Sequence, residues 1–324
     1  MKDMSNENAL QFAFPHAVNP AGNEMEVFID SSINEHYYFL PAIVRKKYSA
    51  TGIGHCAACT YPKADPSDLK IICAGFLWCF TVDDLFEHSS FEKIQEVERI
   101  SLEFLRFGKL VSDDPLYAPL IAFRKIIIDR CGEEWLQKRI CHSLELYFKG
   151  MKEAISYRKS NVFPSMEAFY DIRVNDVNVW IMASFAEMIT GTILPDEIIN
   201  HPSVYRLGHL TARILSWEND YFSAHHEDGN EVFNLALIIK HYSGCSGEQA
   251  NAELLKIHDQ DVHEFEITSD GLPDFGRYND AVRSYVDNLR YMISGYLFWT
   301  LELTARYKAG GHPSIDIRKV ALTQ

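Results

Sequence analysis

The stretch Pro66-Ser67-Asp68-Leu69-Lys70-Ile71-Ile72-Cys73-Ala74-Gly75-Phe76-Leu77-Trp78-Cys79-Phe80-Thr81-Val82-Asp83-Asp84-Leu85-Phe86-Glu87 decides how the chain is read. Pro66, Ser67 and Asp68 form a helix start, where side-chain oxygens cap the free amides of the first turn. The run from Ile71 to Val82 is apolar except for Thr81. At about twelve residues it is too short to span a bilayer, so it predicts a buried core helix over 68–87. That helix ends in carboxylates. Asp83 and Glu87 stand at i, i+4, and Asp84 and Glu87 at i, i+3, so all three can leave one face. Acids closing an apolar helix are costly to bury unless a cation gathers them. Oxygen-only ligands suit Mg²⁺. Taken alone, a solvated helix end explains the three acids as well.

Outward from this helix the chain continues in helical patterns. They cover 40–48, 91–107, 116–130, 133–159, 165–191 with an interruption at 173–178, 202–226, 232–242, 247–263 and 276–308. Cys131-Gly132 reads as a helix stop. Strand-like alternation bounded by turns is hard to find. Residues 1–23, with Pro15 and Pro20, read as a tail or a strap over the fold. Length alone suggests two domains of roughly 150 residues, but no linker divides the chain. The expectation is an all-α, single-domain bundle of about ten helices over 24–324, with a central cavity between facing helices.

Composition narrows the function. With 31 basic and 45 acidic residues the net charge is −14, which argues against nucleic acid as a partner. An anionic small substrate stays open, because a divalent metal can bridge carboxylates and phosphate. The seven cysteines are odd in number, and most lie in apolar or helical stretches, so a disulfide framework is not expected. Cys56 and Cys59 beside His55 lack the second pair that a zinc site wants. The start of the chain shows no apolar leader core. The protein is expected to be cytoplasmic, with no stable membrane insertion.

Two further constellations carry chemistry. In Asn219-Asp220-Tyr221-Phe222-Ser223-Ala224-His225-His226-Glu227, an amide, a hydroxyl and a carboxylate repeat at i, i+4, i+8 along one helix face. Asn219, Ser223 and Glu227 make a second hard-cation set, although an ordinary polar helix face explains them singly. Arg173 sits where the helical pattern falters, and Arg306-Tyr307 lies near the end of the last helix. Arginine presents a planar fork that matches phosphate oxygens; a surface salt bridge is the bland reading of each.

Together these residues resemble a class I terpene synthase of the microbial, single-domain type. Asp83, Asp84 and Glu87 are similar to the family's aspartate-rich motif in its DDxxE form. Asn219, Ser223 and Glu227 match its NDxxSxxxE triad, and Arg306-Tyr307 its C-terminal Arg-Tyr pair. Arg173 stands upstream of Asn219 at the offset of the family's pyrophosphate-sensing arginine. The resemblance then implies Asp176 as the linker and the Val177 carbonyl as the effector facing the cation. It departs at His226, where the family commonly has lysine against the diphosphate, and at Val177, often glycine.

The resemblance implies an Mg²⁺ cluster bound with substrate. It implies ionisation of a prenyl diphosphate, farnesyl diphosphate first and geranylgeranyl diphosphate second, followed by carbocation cyclisation. A homodimer is one assembly open to it. Phe76, Phe80, Trp180 and Trp299 are the expected aromatic wall. For Phe76 and Trp180, plain core packing explains the residue as well, and for Trp299 it is the alternative. A prenyl-chain elongase would need a second aspartate-rich motif where Asn219–Glu227 stands. A non-catalytic helical binding module remains the reading from another class.

Overall fold

A computed structural model describes residues 10–314, 316 and 317. The chain folds as α1 (Gly22–His36), α2 (Ala42–Thr51), α3 (Ile53–Thr60), α4 (Pro66–Phe86), α5 (Phe91–Phe107), α6 (Ala118–Cys131) and α7 (Glu133–Trp135). A π-helical turn, Leu136–Cys141, leads into α8 (His142–Ser160). Then come α9 (Met166–Arg173), α10 (Val179–Met188), α11 (Asp196–Ile199), α12 (Pro202–Glu227), α13 (Leu235–Ser243), α14 (Gly247–Asp270) and α15 (Asn279–Phe298). A second π-helical turn, Trp299–Leu303, ends the last helix. No strand occurs among the described residues. No helix among them is long and apolar enough to cross a membrane.

α4 is apolar on every side, and its buried residues include Leu69, Ile72, Phe76, Leu77 and Val82. Such a helix must sit inside the bundle. α5 instead shows one apolar stripe, Ile94, Val97, Ile100 and Leu105, and packs from outside. Its ends follow capping rules: the Lys93 amide donates to Ser90 Oγ at 3.2 Å, and Gly108 closes it at φ +70°.

Several boundaries differ from the sequence expectation, each for a local reason. Asp68 is not a cap, because its carboxylate accepts from Arg130 at 2.9 and 3.1 Å. Pro66 opens the helix at its first turn instead. The expected short helix at 40–48 is α2, and a further helix, α3, follows it, divided from it by Gly52 at φ +70°. Cys56 and Cys59 are free, buried thiols within α3. The last helix stops well short of 308, since Thr304 is extended. Residues 10–21 cross the bundle in irregular conformation. There the Phe14 amide donates to Ser294 Oγ at 3.0 Å, and Asn19 Nδ2 donates to the Ala64 carbonyl at 2.7 Å.

The expected interruption at 173–178 is present between α9 and α10. It is seated against α8 at Gly150, where an added Cβ would stand 2.4 Å from the Asp176 amide nitrogen. Only a residue with no side chain lets the two backbones approach so closely. Gly150→Ala should therefore push the interruption off α8. Overpacking of this kind costs about 1–3 kcal/mol. The variant should melt lower than wild type in a thermal denaturation, and should lose turnover beyond the loss of folded protein.

Candidate active site

One cavity of about 390 Å³ opens among α4, α8, the 173–178 interruption, α10, α12 and the C-terminal segment. Its floor is apolar, with Phe76, Phe80, Ile181, Met182 and Leu215. Its mouth is charged, with Asp83, Glu87, Arg158, Arg173, Asp176, Glu227, Glu231 and Arg306.

α4 delivers Asp83 and Glu87 to the mouth. Asp83 Oδ1 accepts from the Tyr147 hydroxyl at 2.8 Å. Burial, with Asp84 adjacent, pushes the Asp83 carboxyl up to about 6. Asp84 turns the other way. It takes both guanidinium nitrogens of Arg306, at 2.7 and 3.0 Å, and the Tyr48 hydroxyl at 2.6 Å. Asp84 is thus corrected from a metal ligand to the buried anchor of Arg306. Neighbours on a helix are about 100° apart, so Asp83 and Asp84 cannot both face one cavity squarely.

α12 carries the second set. Asn219, Ser223 and Glu227 all line the cavity. Asn219 Oδ1 accepts from Arg173 at 2.9 Å, and its Nδ2 donates to the Tyr307 hydroxyl at 2.8 Å. Tyr307 and Tyr296 share a hydrogen bond of 2.6 Å. Burial pushes the Glu227 carboxyl up to about 7, with Glu231 and Asp220 adding to the rise. Carboxylates that burial drives towards neutrality fit a cation that would restore their charge.

The arginines complete the mouth. Arg173 donates to Asp220 at 2.6 Å and lies 3.7 Å from Asp176. Arg158 donates to Asp176 at 2.9 Å and to Glu231 at 3.1 Å. Burial works against the Arg158 charge, but Asp176, Glu231 and Glu87 outweigh it and hold the group well above its ordinary value. Only 7% of the Arg158 side chain and 10% of the Arg173 side chain is exposed. Even so, Arg158 Nη1 and Arg173 Nε have no hydrogen-bond partner. Buried donors left open beside a cavity fit an anion.

Among the remaining expected residues, Phe76, Phe80, Val177, His226, Arg306 and Tyr307 line the cavity. The Val177 carbonyl accepts from the Val179 amide at 2.5 Å, and Asp176 bridges the two arginines. Two tryptophans are corrected. Trp299 is fully buried behind Phe80 and Tyr296, and its indole donates to the carbonyls of Thr51 and Gly52 at 3.1 and 2.8 Å. Trp180 faces a separate cleft, stacked on Tyr205 at 5.3 Å.

Sequence reasoning missed Arg158, Asp220, Glu231 and Asn234. Asp220 lay inside the quoted motif, and its burial on α12 follows from the i, i+4 spacing to buried Ser216 and Ala224. Glu231 sits with Glu87 and His88, each offering one ligand atom within 4.8 Å of the others. Nothing in the local pattern separated Arg158 from the basic end of α8.

The comparisons with known proteins agree with this geometry. The family described as terpene synthase family 2, C-terminal metal binding, matches residues 76–264. Germacrene A synthase of Nostoc punctiforme is 30% identical over 264 residues, covering 79% of this chain and 81% of that protein. Sesquiterpene synthase Agr3 of Cyclocybe aegerita is 24% identical over 328 residues, covering 94% and 88%. The crystal structure of linalool/nerolidol synthase from Streptomyces clavuligerus in complex with 2-fluorogeranyl diphosphate superposes with a TM-score of 0.79 at 18% identity, covering 88% of this chain and 100% of that one. An all-α bundle, an apolar cavity with a charged mouth, and the family match over most of α4 to α14 converge on one conclusion: the chain belongs to the terpene synthase family.

Proposed function

We propose that the protein ionises a linear prenyl diphosphate, farnesyl diphosphate first, and cyclises the resulting allylic cation with release of diphosphate. The observation that carries this reading is the pair of open donors on buried Arg158 and Arg173, set above a floor of aromatic and aliphatic side chains. A ligand with an anionic head and a hydrocarbon tail satisfies both at once. A relative named as a sesquiterpene synthase supports the fifteen-carbon chain.

Asp83 and Glu87 on one side, and Asn219, Ser223 and Glu227 on the other, would hold Mg²⁺. The bound ions supply Lewis-acid charge to the departing diphosphate. Arg158 and Arg173 donate to its oxygens, which carry most of their charge after the C–O bond has broken. The bonding electrons leave with diphosphate, and the hydrocarbon is left as a cation. Phe76 and Phe80 present ring density to that cation, and the buried floor keeps water away. Arg306 is held by Asp84 and lies with its guanidinium carbon 5.0 Å from the Phe80 ring centre, so it ties the C-terminal wall to α4.

Incubation of the purified protein with Mg²⁺ and geranyl, farnesyl or geranylgeranyl diphosphate tests the reading directly. Gas chromatography–mass spectrometry should find cyclic hydrocarbon or alcohol from farnesyl diphosphate. Silence with all three substrates overturns it.

The two adjacent aspartates should separate in behaviour. Asp83→Ala should abolish nearly all product while leaving the melting temperature close to wild type. Asp84→Ala leaves a buried arginine unpaired, which costs about 3–5 kcal/mol, so it should melt far lower. Equal melting temperatures for the two would contradict the assignment.

The wall residues should separate as well. Competing steps of a cation cascade that differ by about 1.4 kcal/mol differ tenfold in rate. Phe80→Leu should redistribute products while diphosphate release continues. Trp299→Phe should lower the melting temperature, through the lost indole bonds to Thr51 and Gly52, and leave the product ratio unchanged.

A further inference from the structure

We infer that Asn234 is a positioning residue that presets Ser223 and Glu227 before any cation arrives. It stands outside the expected metal ligands and is fully buried. The inference rests on the metal reading of those two residues and adds to it the group that aims them.

The orientation of the Asn234 amide is determined by the backbone. Asn234 is the N-cap of α13, and its Oδ1 accepts from the amides of Ala236 at 2.9 Å and Leu237 at 3.3 Å. A nitrogen in that place would meet two donors, so the oxygen must face α13. The cap thereby forces Nδ2 towards α12. There it meets Ser223 Oγ at 3.1 Å, Glu227 Oε2 at 2.9 Å and the Asp220 carbonyl at 3.0 Å. Two amide protons serve three acceptors.

Residues 220, 223 and 227 share one face of α12, and Asn234 sits across that face. Each contact it makes has a consequence for a hard cation. Donation to Glu227 Oε2 fixes the carboxylate rotamer and leaves its other oxygen uncommitted by this bond. Donation to Ser223 Oγ occupies one lone pair and leaves the second. The loop that carries Asn234 is itself tied to the mouth, because Glu231 accepts from Arg158 and from the amides of Val232 and Phe233. Asn234 therefore joins the start of α13, the C-terminal turns of α12 and the arginine side of the cavity.

A helix cap alone would account for Oδ1 and not for Nδ2, and the experiment separates the two. Serine caps a helix about as well as asparagine, but is too short to reach Glu227. Asn234→Ser and Asn234→Ala are compared with wild type by thermal denaturation, first without ligand and then with inorganic pyrophosphate during a Mg²⁺ titration. Without ligand, Asn234→Ser should melt near wild type and Asn234→Ala lower. With pyrophosphate, both should need roughly 10–100-fold more Mg²⁺ for half-maximal stabilisation, the range seen when groups behind metal ligands are removed. Turnover by Asn234→Ser should recover as Mg²⁺ is raised.

An unchanged Mg²⁺ midpoint in Asn234→Ser, with a normal response in wild type, overturns the positioning role alone. No Mg²⁺-dependent stabilisation in wild type overturns the metal triad and this inference with it. Should the serine variant fail to fold, Asn234→Thr supplies the same cap without the amide and is read by the same midpoint.

Discussion

Two guanidinium groups held out of water at one cavity mouth set the terms for what surrounds them. Arg158 and Arg173 oppose each other's charge, and neither survives burial without carboxylates close by. Asp176 lies between them, Asp220 takes the far side of Arg173, and Glu231 takes the far side of Arg158. These acids come from three places in the chain: the 173–178 interruption, α12 and the loop before α13. The arginines thus organise three segments at once. Five carboxylates and three arginines line the cavity, and Arg306 is already matched by Asp84, so the mouth holds an excess of negative charge. That excess suits divalent cations, and the open nitrogens of the arginines suit the anion that accompanies them.

Close backbone packing makes this arrangement possible. The interruption could not sit beside α8 without Gly150, and a displaced interruption would carry Arg173 and Asp176 away from α12. The aromatic wall depends on packing of another kind. Trp299 packs behind Phe80 and Tyr296 with ring contacts at 6.3 and 5.4 Å, and its indole is held by the turn at Gly52, so it belongs to the core behind the wall.

Much of the fold was legible in the residues. The 91–107 helix, the interruption at 173–178 and the all-α class all followed from periodicity and capping chemistry. The split at Gly52 was harder, because a positive φ at one glycine is a backbone property with no periodic signature. In the site, spacing brought Asp83, Glu87, Asn219, Ser223 and Glu227 to one cavity, since i, i+4 steps survive folding unchanged. Spacing could not say which of Asp83 and Asp84 turns inward, as that depends on an arginine from the far end of the chain. It also could not place Trp180 and Trp299, because an aromatic residue on an apolar helix serves a core and a cavity wall by the same pattern. Asn234 escaped for a related reason: a cap before an apolar helix is sufficient explanation until the other end of the amide is seen.

The pairing of Asp84 with Arg306 joins residues 222 positions apart. During synthesis on a ribosome, at about 5–20 residues per second, α4 leaves the exit tunnel some tens of seconds before Arg306 does. Throughout that interval the most apolar helix carries an acid that has the Tyr48 hydroxyl but not yet its arginine. Burial of a carboxylate without a counter-charge is expensive, so the buried position of Asp84 depends on an arginine from the other end of the chain. The part of the cavity wall that this pairing ties together is therefore complete only once the C-terminal segment has been made.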